Sequence, residues 1–171
     1  MARGATAPGY EGTEYEITRE GKYLTFRLGD EEFGIAILKV REIIGMMSFT
    51  PIPRTPDFVK GVINLRGKVI PVIDLRLKFG MESIPYDDRT CIVVVEVGFG
   101  EGATSIGIVV DGVDEVANVK SEEVEATPSF GVSLDTAYIL GMAKSGEKVR
   151  ILLEIDRVLG EDEMAMLSQA A

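Results

Sequence analysis

Residues 61–75 read GVINLRGKVIPVIDL, and the way this stretch folds decides the architecture. Val62 to Leu65 and Lys68 to Ile73 are apolar, largely β-branched runs on either side of Gly67. That pattern predicts two strands joined by a tight turn. If Ile63 and Leu65 point inward, Val62, Asn64 and Arg66 share the opposite face. That face is half apolar and ends in a planar guanidinium. A solvated arginine beside a turn is the plain reading. The functional reading is an interface, because the arginine stem covers apolar surface while its fork finds carbonyls or carboxylates. Pro71 lacks an N–H, so it is expected at a barrel corner, a bulge or an edge.

The same patterning extends outward. Leu24, Phe26 and Leu28 alternate with Tyr23, Thr25 and Arg27, and GDEE (29–32) reads as a turn into FGIAI (33–37). CIVVVEV (91–97) and TSIGIVV (104–110) form another pair around GFGEG (98–102), and VRILLEI (149–155) is a further strand. Helical signals are short. TPDFVKG (55–61) has Asp57 in a first turn and Gly61 as a stop, and DLRLKFG (74–80) has Asp74 as N-cap and Gly80 as C-cap. DRVLG (156–160) repeats that pattern, and EDEMAMLSQAA (161–171) starts acidic, as a terminal helix prefers. Its Met164, Met166 and Leu167 either meet a partner or, more simply, pack back on the body of the molecule.

The chain repeats itself. FGIAILKVREII (33–44) matches IGIVVDGVDEVA (106–117), with Gly34 on Gly107, Val40 on Val113 and Glu42 on Glu115. GVINLRGKVIPVID (61–74) matches GMAKSGEKVRILLEID (141–156) if two residues are inserted in the second copy. The two matches recur in the same order, so two similar lobes are expected. A small antiparallel unit is most stable when closed, because closure removes sheet edges. The expected fold is therefore all-β: two similar five-stranded barrels packed side by side, with short helical turns and a C-terminal helix. Residues 1–14 are expected to be a flexible tail and 15–160 to form the two interleaved lobes, one at about 20–85 and the other at about 86–155. Residues 156–171 are expected to be helical.

Composition excludes several functions. Twenty-eight acidic against 18 basic residues give a net charge of −10, the reverse of the footprint a general nucleic-acid binder needs. The same balance disfavours adsorption to anionic lipid. No apolar run approaches the roughly 18 residues of a membrane span, and MARGATAPGYEG (1–12) has no signal-peptide core. There is no histidine and only one cysteine, Cys91. That rules out Ser-His-Asp and Cys-His machinery, histidine metal sites and cysteine-rich zinc sites. A cytoplasmic setting follows from the same cysteine usage. Cys91 opens an apolar strand and reads as core. GFGEG precedes a strand rather than a helix, so it is a hairpin and not a phosphate loop. The acidic pairs, such as Asp111 with Asp114 and Glu115, match no metal or acid–base template. No cofactor is expected, and an enzyme built on paired carboxylates is disfavoured.

FVKGVINLRGKVIPVIDLRLKFG (58–80) closely resembles the signature of the CheW chemotaxis coupling proteins. The resemblance continues through GDEEFGIAILKVREI (29–43), IGIVVDGVDEV (106–116) and ILGMAKSGEKVRILLEIDRVL (139–159). It implies two five-stranded SH3-like barrels and an adaptor without catalytic activity. It also implies two partners: the cytoplasmic tip of chemoreceptors and the regulatory domain of the histidine kinase CheA, itself similar to CheW. By motif position, the partner-sensitive residues are Val40, Glu42, Gly61, Asn64, Leu65 and Arg66, with Gly107, Val113 and Val116 as a second-lobe set. Glu42 and Arg66 are the best of these for direct contact, since neither suits a barrel core. The glycines, Leu65 and the valines could serve folding alone. Two neighbouring readings are a regulatory CheW-like domain of a kinase and a coupler for another chemosensory output such as pilus motility. The length leaves no room for a receiver domain beside both lobes.

Overall fold

The computed structural model describes residues 20–98, 103–125 and 138–170; the expected tail at 1–14 lies outside them. Strands β1 (Gly21–Leu28), β2 (Glu31–Ala36), β3 (Val40–Gly45), β4 (Val59–Leu65), β5 (Lys68–Asp74) and β6 (Cys91–Val97) lead on to β7 (Thr104–Val110) and β8 (Gly112–Val119). Then come β9 (Val124–Glu125), β10 (Ile139–Ser145) and β11 (Lys148–Leu153). Helix α1 is Leu75–Lys78 and α2 is Glu161–Ala170.

The strands form two sheets. Barrel A has the order β8-β1-β2-β11-β10-β9 and barrel B the order β3-β6-β7-β5-β4. Each closes in the same way. After β3 the chain bends so that Thr50 and Val62 exchange two backbone hydrogen bonds of 2.9 Å. After β8 it passes through a 3-10 turn, Ser121–Glu123, and β9 lands on β10. β9 has only two residues, so barrel A is the expected five strands plus a short closing piece.

The sheets do not divide the chain at 85/86. Barrel B is residues 40–110, inserted between β2 and β8 of barrel A. The repeat nevertheless holds: β2–β3 corresponds to β7–β8 and β4–β5 to β10–β11. Each repeat lends its first hairpin to the barrel that houses the rest of the other. β1–β2 lies against β8 and β11, and β6–β7 against β3 and β5. The seams between donated and resident strands are the parallel pairs β2–β11 and β5–β7. In those pairs Gly34 faces Leu152 and Gly107 faces Val72. A Cβ on Gly107 would lie 2.7 Å from Ile92 Cγ2, so the partner strands pack where a side chain would stand.

Several local expectations need correction. The second match requires no insertion, since both hairpins turn in two residues, between Leu65 and Lys68 and between Ser145 and Lys148. Asp74 is thereby matched by Glu154, not Asp156. TPDFVKG forms a turn and then β4 rather than a helix, and Gly61 sits at a register shift inside that strand. Pro71 lies on an interior strand, one residue before β5 begins to pair with β7 at Val72, so its missing N–H breaks no bond in that ladder. Asp74 caps α1 by accepting from the Leu77 amide. α2 packs back on the body through buried Leu167 and half-buried Met164.

Most of the core lies between the barrels. One face of each sheet contributes Phe26, Leu28, Ile35, Val93, Val95, Ile106 and Ile108 to a central layer, which α2 and the 3-10 turn Ile155–Arg157 cover. The barrel interiors are small: Ile63, Ile70, Val72, Ile92, Val94 and Val109 in B, and Tyr23, Val119, Ala143 and Leu152 in A. Strands β1, β6 and β7 are therefore buried on both faces, which explains the unbroken apolar runs of β6 and β7.

Candidate functional site

The hairpin that decided the fold also carries the most distinctive surface. β4 ends at Leu65. Arg66 is not on the strand face with Val62 and Asn64, as the alternation suggested, but is the first residue of the turn. Arg66 has φ +53° and Gly67 φ +86°, as the twist-matched two-residue turn requires. Asn64 stabilises this turn, since its Oδ1 accepts from the Gly67 amide at 2.8 Å. An asparagine or glycine would fit position 66 with less strain than arginine, so the fold does not ask for the guanidinium.

That guanidinium pairs with Glu42: Arg66 Nη2 donates to Glu42 Oε2. Glu42 lies opposite Val94, just past a bulge at Arg41 on β3. β3 and β4 are the two edges of sheet B, so the pair straddles the barrel seam. The Arg66 side chain stays 69% exposed and that of Glu42 31%. Its net worth to folding is therefore small, about 0.2–1 kcal/mol. Val69, 48% exposed, sits directly across the hairpin from Asn64. Together these side chains make a mixed surface of one ion pair, one amide and one exposed aliphatic group at the rim of barrel B.

The other predicted residues divide by position. Leu65 is half-buried against the interior of barrel B. Gly61 has φ +132°, and a Cβ there would lie 2.2 Å from the Thr50 oxygen that closes the barrel. Gly107 is in the β5–β7 seam. Val40 and Val113 occupy equivalent places, both half-buried against the central layer. Val116, 50% exposed, is on β8 of barrel A, away from the Arg66 rim. The structure thus gathers Glu42, Asn64, Leu65 and Arg66, and gives Gly61 and Gly107 packing roles.

The matching surface of barrel A is different. Lys144 and Gly146 stand where barrel B has Asn64 and Arg66. Glu115, the counterpart of Glu42, pairs with Arg150 at 3.1 Å, and Arg150 Nε also donates to Glu32 at 2.9 Å. Lys148 joins this network through Glu32. The Arg150 guanidinium holds the Glu32 carboxyl below its ordinary value of 4.5.

Sequence reasoning missed a second set of polar residues. The chain crosses between barrels twice, at the 3-10 turn Ile37–Lys39 and at the single residue Asp111. Asp111 accepts from Arg76 of α1 at 2.8–3.0 Å and from the Gly29 amide at 2.7 Å. At the other crossing Lys39 pairs with Asp156 at 3.0 Å, and Asp156 accepts from the Gly98 amide at 2.9 Å. Each crossing is thus pinned by one ion pair and one hairpin amide, with the charges reversed. The signal available in sequence was an acid between two apolar strands, which had read as part of a turn-side cluster.

Cys91 is half-buried against the central layer, and burial pushes its thiol up, which disfavours the thiolate. Among the described residues no group of histidine, cysteine or carboxylate side chains could hold a metal ion, and no helix is long and apolar enough to cross a membrane.

Comparison with known proteins agrees with this architecture. Residues 22–163 match the family model described as CheW-like domain. The chain is 45% identical over 150 residues to "Chemotaxis protein CheW" of Klebsiella aerogenes, covering 88% of each chain. It is 33% identical over 148 residues to the protein of that name from Rhizobium meliloti, covering 86% of this chain and 93% of the relative. A solved structure, the scaffolding protein TtCheW from Thermoanaerobacter tengcongensis, superposes with a TM-score of 0.74 at 35% identity. That match covers 84% of this chain and 95% of the other.

Proposed function

This chain belongs to the CheW-like domain family, and we propose that, as a chemotaxis coupling scaffold, it joins the cytoplasmic tip of chemoreceptors to the regulatory domain of the histidine kinase CheA. On this reading it acts in the cytoplasm, performs no catalysis, and reaches the membrane only through protein contacts. Receptor state biases how the adaptor and the kinase domain sit together, and that geometry biases the kinase. The adaptor can do this only by contacting the two receptor states with different free energies.

The observation that carries the reading is the Glu42–Arg66 pair at the rim of barrel B. It is exposed, the turn does not require it, and barrel A lacks it. Arginine and an adjacent aliphatic group in a partly desolvated rim are what a partner surface uses. Glu42, Asn64, Leu65 and Arg66 with Val69 form this surface, and Val40, Val113 and Val116 belong to a second one beside the central layer. Gly61 and Gly107 act through the fold. The two surfaces serve different partners.

The test is binding of CheA regulatory domain and of a receptor-tip peptide to the wild type and to Arg66→Ala. We expect at least one affinity to fall about tenfold or more, the scale of a hot-spot arginine, with an unchanged circular dichroism spectrum. Unaltered binding to both removes the assignment. Competition of receptor peptide and kinase domain for one site removes the two-surface arrangement.

A further inference from the structure

The pseudo-symmetry of the barrels shows where their two parallel seams differ. In barrel A, β11 pairs with β2 over four residues, from Arg150 opposite Glu32 to Leu153 opposite Ile35. In barrel B, β5 pairs with β7 over three, from Val72 opposite Gly107 to Asp74 opposite Val109. Val72 faces Gly107 as Leu152 faces Gly34, so the counterparts of Arg150 and Glu32 are Ile70 and Ser105. Pro71 stands at the place of Ile151 and has no N–H to carry the ladder further back. Ile70 and Ser105 form no ion pair, so nothing draws these strand ends together as Arg150 and Glu32 do in barrel A.

At this end of the barrel B seam lies a cleft of about 250 Å³, lined by Arg41, Lys68, Val69, Glu96, Thr104 and Ser105. Lys68 is the counterpart of Lys148, whose Nζ is 3.3 Å from the Glu32 carboxylate in barrel A. With serine at the place of Glu32, Lys68 has no carboxylate partner among the described residues. Arg41 is already paired with Glu96 at 3.0 Å. Lys68 is therefore the uncompensated charge of the cleft, on a chain whose net charge is −10. The cleft is continuous with the Glu42–Arg66 rim: Val69 lies across the hairpin from Asn64, and Arg41 directly precedes Glu42 on β3.

We propose that this cleft is a subsite for one carboxylate side chain, aspartate or glutamate, of the partner that docks at the rim, with Lys68 as its counter-ion. This deepens the coupling reading and rests on it. Barrel A shows the same pairing within one chain, where Glu32 takes both Lys148 and Arg150. In barrel B the partner supplies the acid. Lys68 is exposed before docking, so the contact acts mainly on charge complementarity and is weakened by salt. An arginine rim beside a lysine cleft thus selects an acidic partner surface, although the chain as a whole repels acidic proteins.

The test titrates CheA regulatory domain and receptor-tip peptide against the full chain and its variants, at low and at high salt. For the partner whose affinity Arg66→Ala lowers, Lys68→Glu should weaken binding about tenfold at low salt, and the gap should narrow at high salt. Ser105→Glu sets an internal acid beside Lys68 and should weaken binding to a similar degree. Ser105→Gln, nearly the same size without the charge, should bind as the wild type does. All three should keep the wild-type circular dichroism spectrum. Wild-type affinity in Lys68→Glu beside a weakened Arg66→Ala overturns the subsite and leaves the rim reading standing. Unaltered binding in Arg66→Ala removes the rim reading and this subsite with it. An equal loss in Ser105→Gln and Ser105→Glu also overturns the proposal, because shape and not charge then decides.

Discussion

Arg66 and Gly61 are five residues apart on one hairpin and fail in opposite ways when changed. Arg66 is exposed, occupies a left-handed turn position and pairs with Glu42 across the seam. Arg66→Ala should shift stability by no more than about 1 kcal/mol, read from denaturant midpoints, because the lost ion pair is solvated. Gly61→Ala should be severe, on the order of 3 kcal/mol or more. Its Cβ would stand 2.2 Å from the Thr50 oxygen at φ +132°, so the closing hydrogen bonds must break or the strand must shift. A Gly61→Ala protein with a near-native midpoint would show that the seam can open cheaply. Sequence inspection separated Glu42 and Arg66 from the core because neither suits burial. It could not find that they are each other's partners, since the ion pair joins strands that meet only when the barrel closes.

At the scale of elements, polar side chains decide how strands and crossings are held. Glu32 on β2 receives Arg150 and Lys148 from β11, across the parallel seam of barrel A. Its folded pKa lies below the ordinary 4.5, so its stabilisation is full above that value and is lost as the pH falls through the lower, folded one. Glu32→Gln should therefore lower the denaturant midpoint at neutral pH, and the gap from wild type should close as the pH falls below the ordinary carboxylate range. A gap that stays constant with pH would assign the effect to packing.

The crossings make a second element-scale case. Asp111→Ala removes the Arg76 fork and the acceptor for the Gly29 amide together, and should cost about 2–3 kcal/mol. Asp156→Ala should cost less, because it loses a lysine pair instead of a forked arginine. Thermal unfolding of the two single variants and the double variant checks both the order and the additivity expected of separate sites. The helix at Leu75–Lys78 was legible from its cap. The supposed helix at 55–61 was not a helix, because Val59 is needed in the central layer and Gly61 at the closure.

For the whole molecule, apolar patterning revealed seven of the eleven strands among the described residues and that the chain is doubled. It could not reveal which barrel each hairpin joins. Alternation fixes inward and outward faces, whereas the neighbouring strand is set by register and crossing geometry. The division at 85/86 therefore marks a repeat in sequence but cuts through both barrels. Fragments 20–85 and 86–170 each hold a hairpin whose barrel lies mostly in the other fragment. Neither should unfold cooperatively alone, and an equimolar mixture should regain the native circular dichroism spectrum. A fragment 20–85 that folds by itself would contradict the exchanged arrangement.

The two crossings have a mechanical consequence. A body joined to another by one strand of chain can swivel about it, but two attachments remove the swivel. Here one attachment is three residues long and the other is one, and an ion pair clamps each. The central layer packs between the two sheets. A push on one barrel therefore moves the other by the same rotation and the same translation. Such a body is expected to move as a stiff plate, so that a displacement imposed on one barrel is carried to the other.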